Sequence, residues 1–157
     1  MSQPTVNLTE TVHSAIDAHR HERGPLLVIL QEVQERLGYV PPAAVPLIAR
    51  ELNLSRADVH GVLTFYHDLR TEPPGRTTLS LCRAEACQAV GAEALVAQVE
   101  EALGVKTGQT AADGSVTVNQ VFCLGNCALG PSALVGGRLH GRLDRDRVVA
   151  LVRAEAS

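Results

Sequence analysis

The chain has 157 residues, of which 45% are hydrophobic and 20% charged, values typical of a soluble globular protein. No apolar run approaches the roughly 18–20 residues that span a bilayer, and the amino terminus lacks a secretory signal, so we expect a cytoplasmic protein. The net charge of -3, the lack of Trp and the aromatic content of 3% argue against a nucleic-acid partner and an anionic membrane partner.

The first 70 residues show the hydrophobic periodicity of short amphipathic helices. We predict four helices, in TETVHSAIDAHR, in the segment from Pro25 to Gly38, in AAVPLIAREL and in RADVHGVLTFY. Thr9 or Thr11 is the expected cap of the first helix, and Ser55 with Asp58 resembles a capping box for the fourth. The pattern indicates a helical bundle or arm.

A linker interrupts this pattern at TEPPGR, residues 71–76, where two prolines and a glycine cannot continue a helix. The sequence therefore predicts two domains. Residues 1–72 form a helical region without an identifiable chemical role, which we expect to dock on a partner. Residues 76–157 form the second domain.

The second domain alternates strand and helix signals. TTLSL reads as a strand that runs into Cys82, and EACQAVGAEALVAQVEEAL reads as one long helix with Val90, Leu95 and Val99 on its buried face. SVTVNQVF reads as a strand that runs into Cys123, and SALV and RLHGRL flank a hairpin turn before the last helix, RDRVVALVRA. A further short strand near Val105 is an alternative. The order indicates an α+β domain of thioredoxin-like type.

The four cysteines form two close pairs, each just after a predicted strand. Cys82 and Cys87 form a C-x4-C motif, Cys123 and Cys127 form a C-x3-C motif, and residues 88–122 separate the pairs. In a reducing compartment such thiols stay free. Two loops at one edge of a sheet then supply four thiolate ligands.

Four thiolates suit either zinc or an iron–sulfur cluster. The spacing lacks the C-x4-C-x2-C of plant-type ferredoxins, the C-x2-C-x2-C of bacterial ferredoxins and the C-x-x-C of thioredoxin oxidoreductases. Structural zinc sites usually have tighter pairs, although C-x4-C falls within their range. A two-plus-two distribution suits a [2Fe-2S] cluster with one pair on each iron. Pro131, between the second pair and the next strand, can be cis, although trans is commoner.

The cysteine pattern, with a helical region before it, resembles the small thioredoxin-like [2Fe-2S] subunit of NADH:quinone oxidoreductase and its relatives. The segments CRAEACQAVGA, GVLTFYHDLR and CLGNCALGPSALV are most similar to the gamma subunit of soluble NAD-dependent, molybdenum-containing formate dehydrogenase. The corresponding component of an NAD-reducing hydrogenase would read similarly. The resemblance covers residues 26–153 and includes all four cysteines.

The resemblance implies electron transfer through one [2Fe-2S] cluster, held by Cys82, Cys87, Cys123 and Cys127, beside a flavin on an NAD(H)-binding partner subunit. It also implies that FMN, NAD and the molybdenum cofactor are carried by partner subunits only, and that this chain is not catalytic alone. Consistent with this, the sequence has no G-x-G-x-x-G, P-loop or Ser/His/Asp constellation. A zinc-stabilised interaction module is the alternative from another class of protein.

Overall fold

A computed structural model describes residues 7–156, and contacts between Cα atoms divide the chain into two compact units, Met1–Pro73 and Pro74–Ser157. The amino-terminal segment considered for a secretory signal includes residues 1–6, which lie outside the described part. The first unit is helical and the second combines helices with a sheet, so the predicted α+β class is confirmed.

The first unit contains the four predicted helices. Their bounds are Leu8–His19 (α1), Leu26–Leu37 (α2), Ala44–Glu51 (α3) and Arg56–Phe65 (α4). The predicted cap of α1 was wrong, because the Asn7 side chain accepts a hydrogen bond from the Thr9 N–H at 3.1 Å and starts the helix earlier. The Ser55–Asp58 capping box of α4 is present.

Apolar residues at helical spacing hold this unit together. Helix α1 packs against α2 and α3, and α3 packs against α4. The fully buried side chains of this core are Val12, Ala15, Ile16, Ile29, Leu30, Val33, Val40, Ala44, Ile48 and Val59. Within residues 7–156, no helix is long and apolar enough to cross a membrane.

The second unit is built on a four-stranded sheet. Its elements are Thr77–Cys82 (β1), Glu85–Ala89 (α5), Ala92–Leu103 (α6), Val116–Val121 (β2), Ala133–Val135 (β3), Arg138–His140 (β4) and Arg145–Ala156 (α7). The strand order is β2-β1-β3-β4, with β1 parallel to β2 and antiparallel to β3. Helix α7 packs against α6, β1 and β3.

Two details of this unit differ from the prediction. The single long helix is in fact α5 and α6, because Gly91 takes a φ of 94° and interrupts the helical path. Val90, expected on the buried face, is therefore 54% exposed. The predicted strand order without a further strand near Val105 is the one found in the described residues. Residues 108–111 nevertheless hydrogen-bond along β2 through pairs such as Gly108 N–H to the Val118 carbonyl, at 2.7 Å.

Candidate metal centre

The parallel pairing of β1 and β2 brings the two cysteine motifs to one edge of the sheet. Cys82 is the last residue of β1 and lies opposite Val121, the last residue of β2. Since the carboxyl ends of parallel strands share an edge, the loops after Cys82 and Val121 leave the sheet side by side. The predicted convergence of the two loops is therefore a direct result of this register.

The first pair is buried. Cys82 is 3% exposed and Cys87, in α5, is 2% exposed; their sulfur atoms contact each other, and with Ala92 they form a small apolar cluster. Helix α5 begins at Glu85, as expected for an acidic residue in a first turn. The first pair thus faces the interior of this unit.

Arg83, directly after Cys82, braces the first loop. Its guanidinium donates to both carboxylate oxygens of Glu93, at 2.9 and 2.8 Å, and to Gln120 at 2.7 Å. The bond from Arg83 holds the pKa of Glu93 below its ordinary value. The Gln88 side chain donates to the Arg83 carbonyl at 2.7 Å, so the turn between the two cysteines is fixed at both ends.

The second pair is exposed. The sulfur atoms of Cys123 and Cys127 are 3.8 Å apart. Cys123 has a φ of 84°, and the Gly125 N–H donates to the Cys123 sulfur at 3.4 Å, so the loop folds back on its first cysteine. Two sulfurs bound at about 2.3 Å to one tetrahedral metal ion are about 3.8 Å apart. The spacing of this pair therefore fits two ligands of a single metal ion.

Backbone N–H groups surround the sulfurs. Burial raises the pKa of the Cys82 thiol, but hydrogen bonds from the Ala84, Cys123 and Leu124 N–H groups, with a contact from Cys87, bring it below its ordinary value. Burial and the adjacent Cys82 sulfur raise the pKa of Cys87.

The Cys123 sulfur, as the nearest neighbour, raises the pKa of Cys127. Negative charge on one sulfur thus opposes ionisation of the next, which favours a bound cation at the site.

Ser132 and Asn126 connect the two motifs, although the sequence pattern does not predict either residue as part of the site. The Ser132 carbonyl accepts from the Cys82 N–H at 3.0 Å, and its N–H donates to the Cys87 sulfur. Its hydroxyl accepts from the Asn126 side chain at 3.1 Å. The Gly130–Pro131 peptide before Ser132 is cis. The sequence feature that could have indicated their role is Asn126, an amide side chain in a loop of otherwise apolar or small residues.

The donor set fits a metal–thiolate centre with two ligands from each loop. In residues 7–156, no group of three or more His, Cys, Asp or Glu side chains is arranged to hold one metal ion. The cysteines are instead grouped two and two, with sulfur contacts inside each pair and N–H donors around them. A [2Fe-2S] cluster takes four thiolates, two on each of its irons.

A thioredoxin-like sheet with thiol pairs on two adjacent loops defines a class of small metal–thiolate proteins. Residues 12–155 match the family described as thioredoxin-like [2Fe-2S] ferredoxin. The chain belongs to this family, and the expected resemblance to thioredoxin-like [2Fe-2S] proteins is confirmed.

Individual relatives are components of larger assemblies. The chain is 36% identical over 151 residues to an NADH-quinone oxidoreductase subunit of Pseudomonas aeruginosa, covering 94% of this chain and 91% of the relative. It is 29% identical to the NADP-reducing hydrogenase subunit HndA of Solidesulfovibrio fructosivorans, covering 85% and 78%. A crystal structure of an NAD+-reducing [NiFe]-hydrogenase matches with a TM-score of 0.67 and 27% identity, over 83% of this chain and 22% of that chain.

Proposed function

We propose that Cys82, Cys87, Cys123 and Cys127 bind one [2Fe-2S] cluster, with each pair on one iron. The observation that carries this proposal is the delivery of two thiol pairs to one sheet edge, with the exposed pair at the 3.8 Å spacing of two ligands on one ion. Family membership supplies the metal type that the spacing alone leaves open. When bound, the cluster exchanges single electrons.

The chain itself contributes position and electrostatics to that transfer. The N–H groups of Ala84, Cys123 and Leu124 point at the Cys82 sulfur, and the Ser132 N–H points at the Cys87 sulfur. These donors offset negative charge on the thiolates and stabilise the added electron. The exposed second pair leaves one side of the centre accessible to a redox partner.

The partner we propose is a flavin-containing, NAD(H)-binding subunit. FMN, NAD and the molybdenum cofactor then reside on partner subunits, and the chain acts in the cytoplasm as an electron-transfer subunit of an oxidoreductase. The support is the similarity to components of an NADH-quinone oxidoreductase and of pyridine-nucleotide-reducing hydrogenases.

For the parent complex we propose an NAD-dependent formate dehydrogenase with a molybdenum subunit, on the residues that flank the cysteines. The corresponding component of an NADH:quinone oxidoreductase is the second candidate, favoured by the 36% identity to the Pseudomonas aeruginosa relative. Purification of the tagged chain from its native cell separates them: a molybdenum protein supports the first, whereas a nickel protein or a membrane complex would overturn it.

Metal analysis tests the cluster directly. We expect two iron and two sulfide per chain with a visible absorption spectrum, and loss or distortion of that spectrum in each of Cys82→Ser, Cys87→Ser, Cys123→Ser and Cys127→Ser. Zinc in place of iron and sulfide would contradict the proposal and support a zinc-stabilised interaction module.

A further inference from the structure

The four cysteines differ in how the protein holds them. Cys82 and Cys87 lie in a strand and a helix and are buried. Cys123 is exposed, but its N–H is tied to the Cys82 sulfur. Cys127 is exposed and begins a single turn of 3-10 helix, Cys127–Leu129, which contains no buried residue. Its position therefore depends on bonds made by its neighbours.

One side chain next to Cys127 makes such a bond. The Asn126 side-chain amide donates to the Ser132 hydroxyl at 3.1 Å. That hydroxyl lies within hydrogen-bond distance of the Asn126 carbonyl, at 3.4 Å, and of the Leu129 carbonyl, at 3.3 Å. Ser132 is only 2% exposed, so the bond is shielded from water. The short turn that carries Cys127 is thus fastened at both of its ends.

Ser132 is in turn fixed to the buried pair. Its carbonyl accepts from the Cys82 N–H at 3.0 Å, and its N–H donates to the Cys87 sulfur. The backbone of Ser132 therefore follows the first pair, while its hydroxyl holds the loop of the second pair. Loss of the bond between the Asn126 side chain and the Ser132 hydroxyl would therefore change the distance between the two cysteine pairs without replacing any cysteine.

The backbone of Gly141 lies close to the Asn126 side chain. A Cβ atom at position 141 would lie 2.6 Å from the Asn126 amide nitrogen and 2.6 Å from the Leu129 carbonyl oxygen. The Arg142 N–H also donates to the Leu129 carbonyl, at 2.6 Å. The Gly141 backbone thus packs directly against the Asn126 side chain and the turn that follows it.

We infer that the Asn126–Ser132 side-chain bond positions Cys127, because it fixes the loop of the exposed pair to the residue that is bonded to the buried pair. This inference rests on the proposed cluster. Neither side chain is itself a ligand. Their effect is on the spacing between the pairs, and hence on how firmly the cluster is held and on its reduction potential.

The test compares Asn126→Ala and Ser132→Ala with Thr117→Val. Thr117 is fully buried in the same unit, and its hydroxyl bonds Thr110 at 2.8 Å and accepts from the Gly75 N–H at 2.7 Å. Thr117→Val therefore removes a buried hydroxyl of this unit without changing any contact to the cysteines. It controls for a general loss of stability.

In the full-length reconstituted chain, we expect Asn126→Ala and Ser132→Ala to lose the cluster to an iron chelator about tenfold faster than wild type, with a shifted midpoint potential. The double variant should be no worse than the more affected single variant, because both substitutions break the same bond. Thr117→Val should match wild type in both measurements. Equal cluster loss and potential in wild type and both alanine variants, or an equal effect of Thr117→Val, would overturn the inference.

Amide hydrogen exchange of the metal-free chain separates this inference from the proposed function. Exchange at Gly125 to Leu129 should be faster in both alanine variants than in wild type and Thr117→Val. A wild-type chain that takes up no iron and sulfide would overturn the proposed function, and exchange would still decide whether the bond orders the loop. Unchanged exchange in both alanine variants would overturn the inference even if a cluster forms.

Discussion

His19 lies between two carboxylates in the helical unit. Its Nδ1 is 2.6 Å from Glu22 and its Nε2 is 2.5 Å from Glu32, which also pairs with Arg36. The bond to Glu22 raises the pKa of His19; burial opposes this, and Glu32 adds to it. The charged imidazole thus links α1 to α2.

This arrangement predicts a pH-dependent contribution to stability. Because the folded pKa is raised, the contribution is complete below the unfolded value of about 6.5 and is lost as pH rises through the folded pKa. We expect His19→Gln to lower the free energy of unfolding more at pH 6 than at pH 9, as measured by urea titration. In an NMR titration, Glu22→Gln should lower the pKa of His19; an unchanged pKa would contradict this account.

At the residue scale, the sequence predicts which residues form the site better than it predicts their side-chain contacts. The close pairing of Cys82 with Cys87 and of Cys123 with Cys127 follows from spacing alone. The contacts of His19 with Glu32, and of Asn126 with Ser132, do not, because each joins residues whose approach depends on packing.

At the scale of elements, the capping box of α4 gives a direct test. The Ser55 hydroxyl accepts from the Asp58 N–H at 3.0 Å, and Asp58 accepts from the Ser55 N–H at 3.0 Å. Ser55→Ala should destabilise α4 by about 1 kcal/mol, measured by amide hydrogen exchange within the helix. Ser55→Thr keeps the hydroxyl and should cost far less. Equal losses in both variants would show that the cap bond is unimportant.

Two glycines should respond in opposite ways to the same substitution. Gly61 lies within α4, and an added Cβ would meet no atom within 4 Å. Gly61→Ala should therefore stabilise the helix by up to about 1 kcal/mol. At Gly75 the Cβ would be 2.7 Å from the Val116 carbonyl carbon, so Gly75→Ala should destabilise by about 1–3 kcal/mol. Urea unfolding of both variants measures the change in the free energy of unfolding. A change of the same sign in both variants would contradict this prediction.

At this scale, the sequence predicts which segments are helical but not where each helix begins and ends. The apolar periodicity continues through residues 85–103, so it conceals the break at Gly91. Glycine inside a helical pattern is tolerated at a modest cost, and only the φ of 94° shows that the path turns there. Similarly, Asn7 as a cap competes with Thr9 and Thr11, and sequence spacing does not rank the three.

At the scale of the whole molecule, the expected division at residues 72 and 76 remains a prediction that fragments can test. The Gly75 N–H donates to the Thr117 hydroxyl at 2.7 Å, within the second unit. We therefore expect fragment 74–157 to assemble the cluster with the spectrum of the full chain, and fragment 76–157 to unfold at lower urea concentration. A fragment 74–157 that takes up no iron would show that the helical unit is needed for the site.

Partner binding tests the role proposed for the helical unit. Phe65 and Tyr66 form an edge-to-face pair at the end of α4, and Phe65 is 73% exposed. If this unit docks on the flavin subunit, fragment 74–157 should bind that subunit much more weakly than the full chain does. Equal affinity, measured by calorimetry, would instead make the helical unit irrelevant to docking.

The hydrogen bonds that residues 108–111 make along β2 have a consequence for the chain before it receives its metal. An open strand edge is a template on which a second molecule can add its own strand. Here the outer edge of β2 is occupied by Gly108, Gln109 and Ala111, and the opposite edge is the three-residue strand β4. We therefore expect metal-free molecules to have little tendency to aggregate by strand addition at either edge of the sheet.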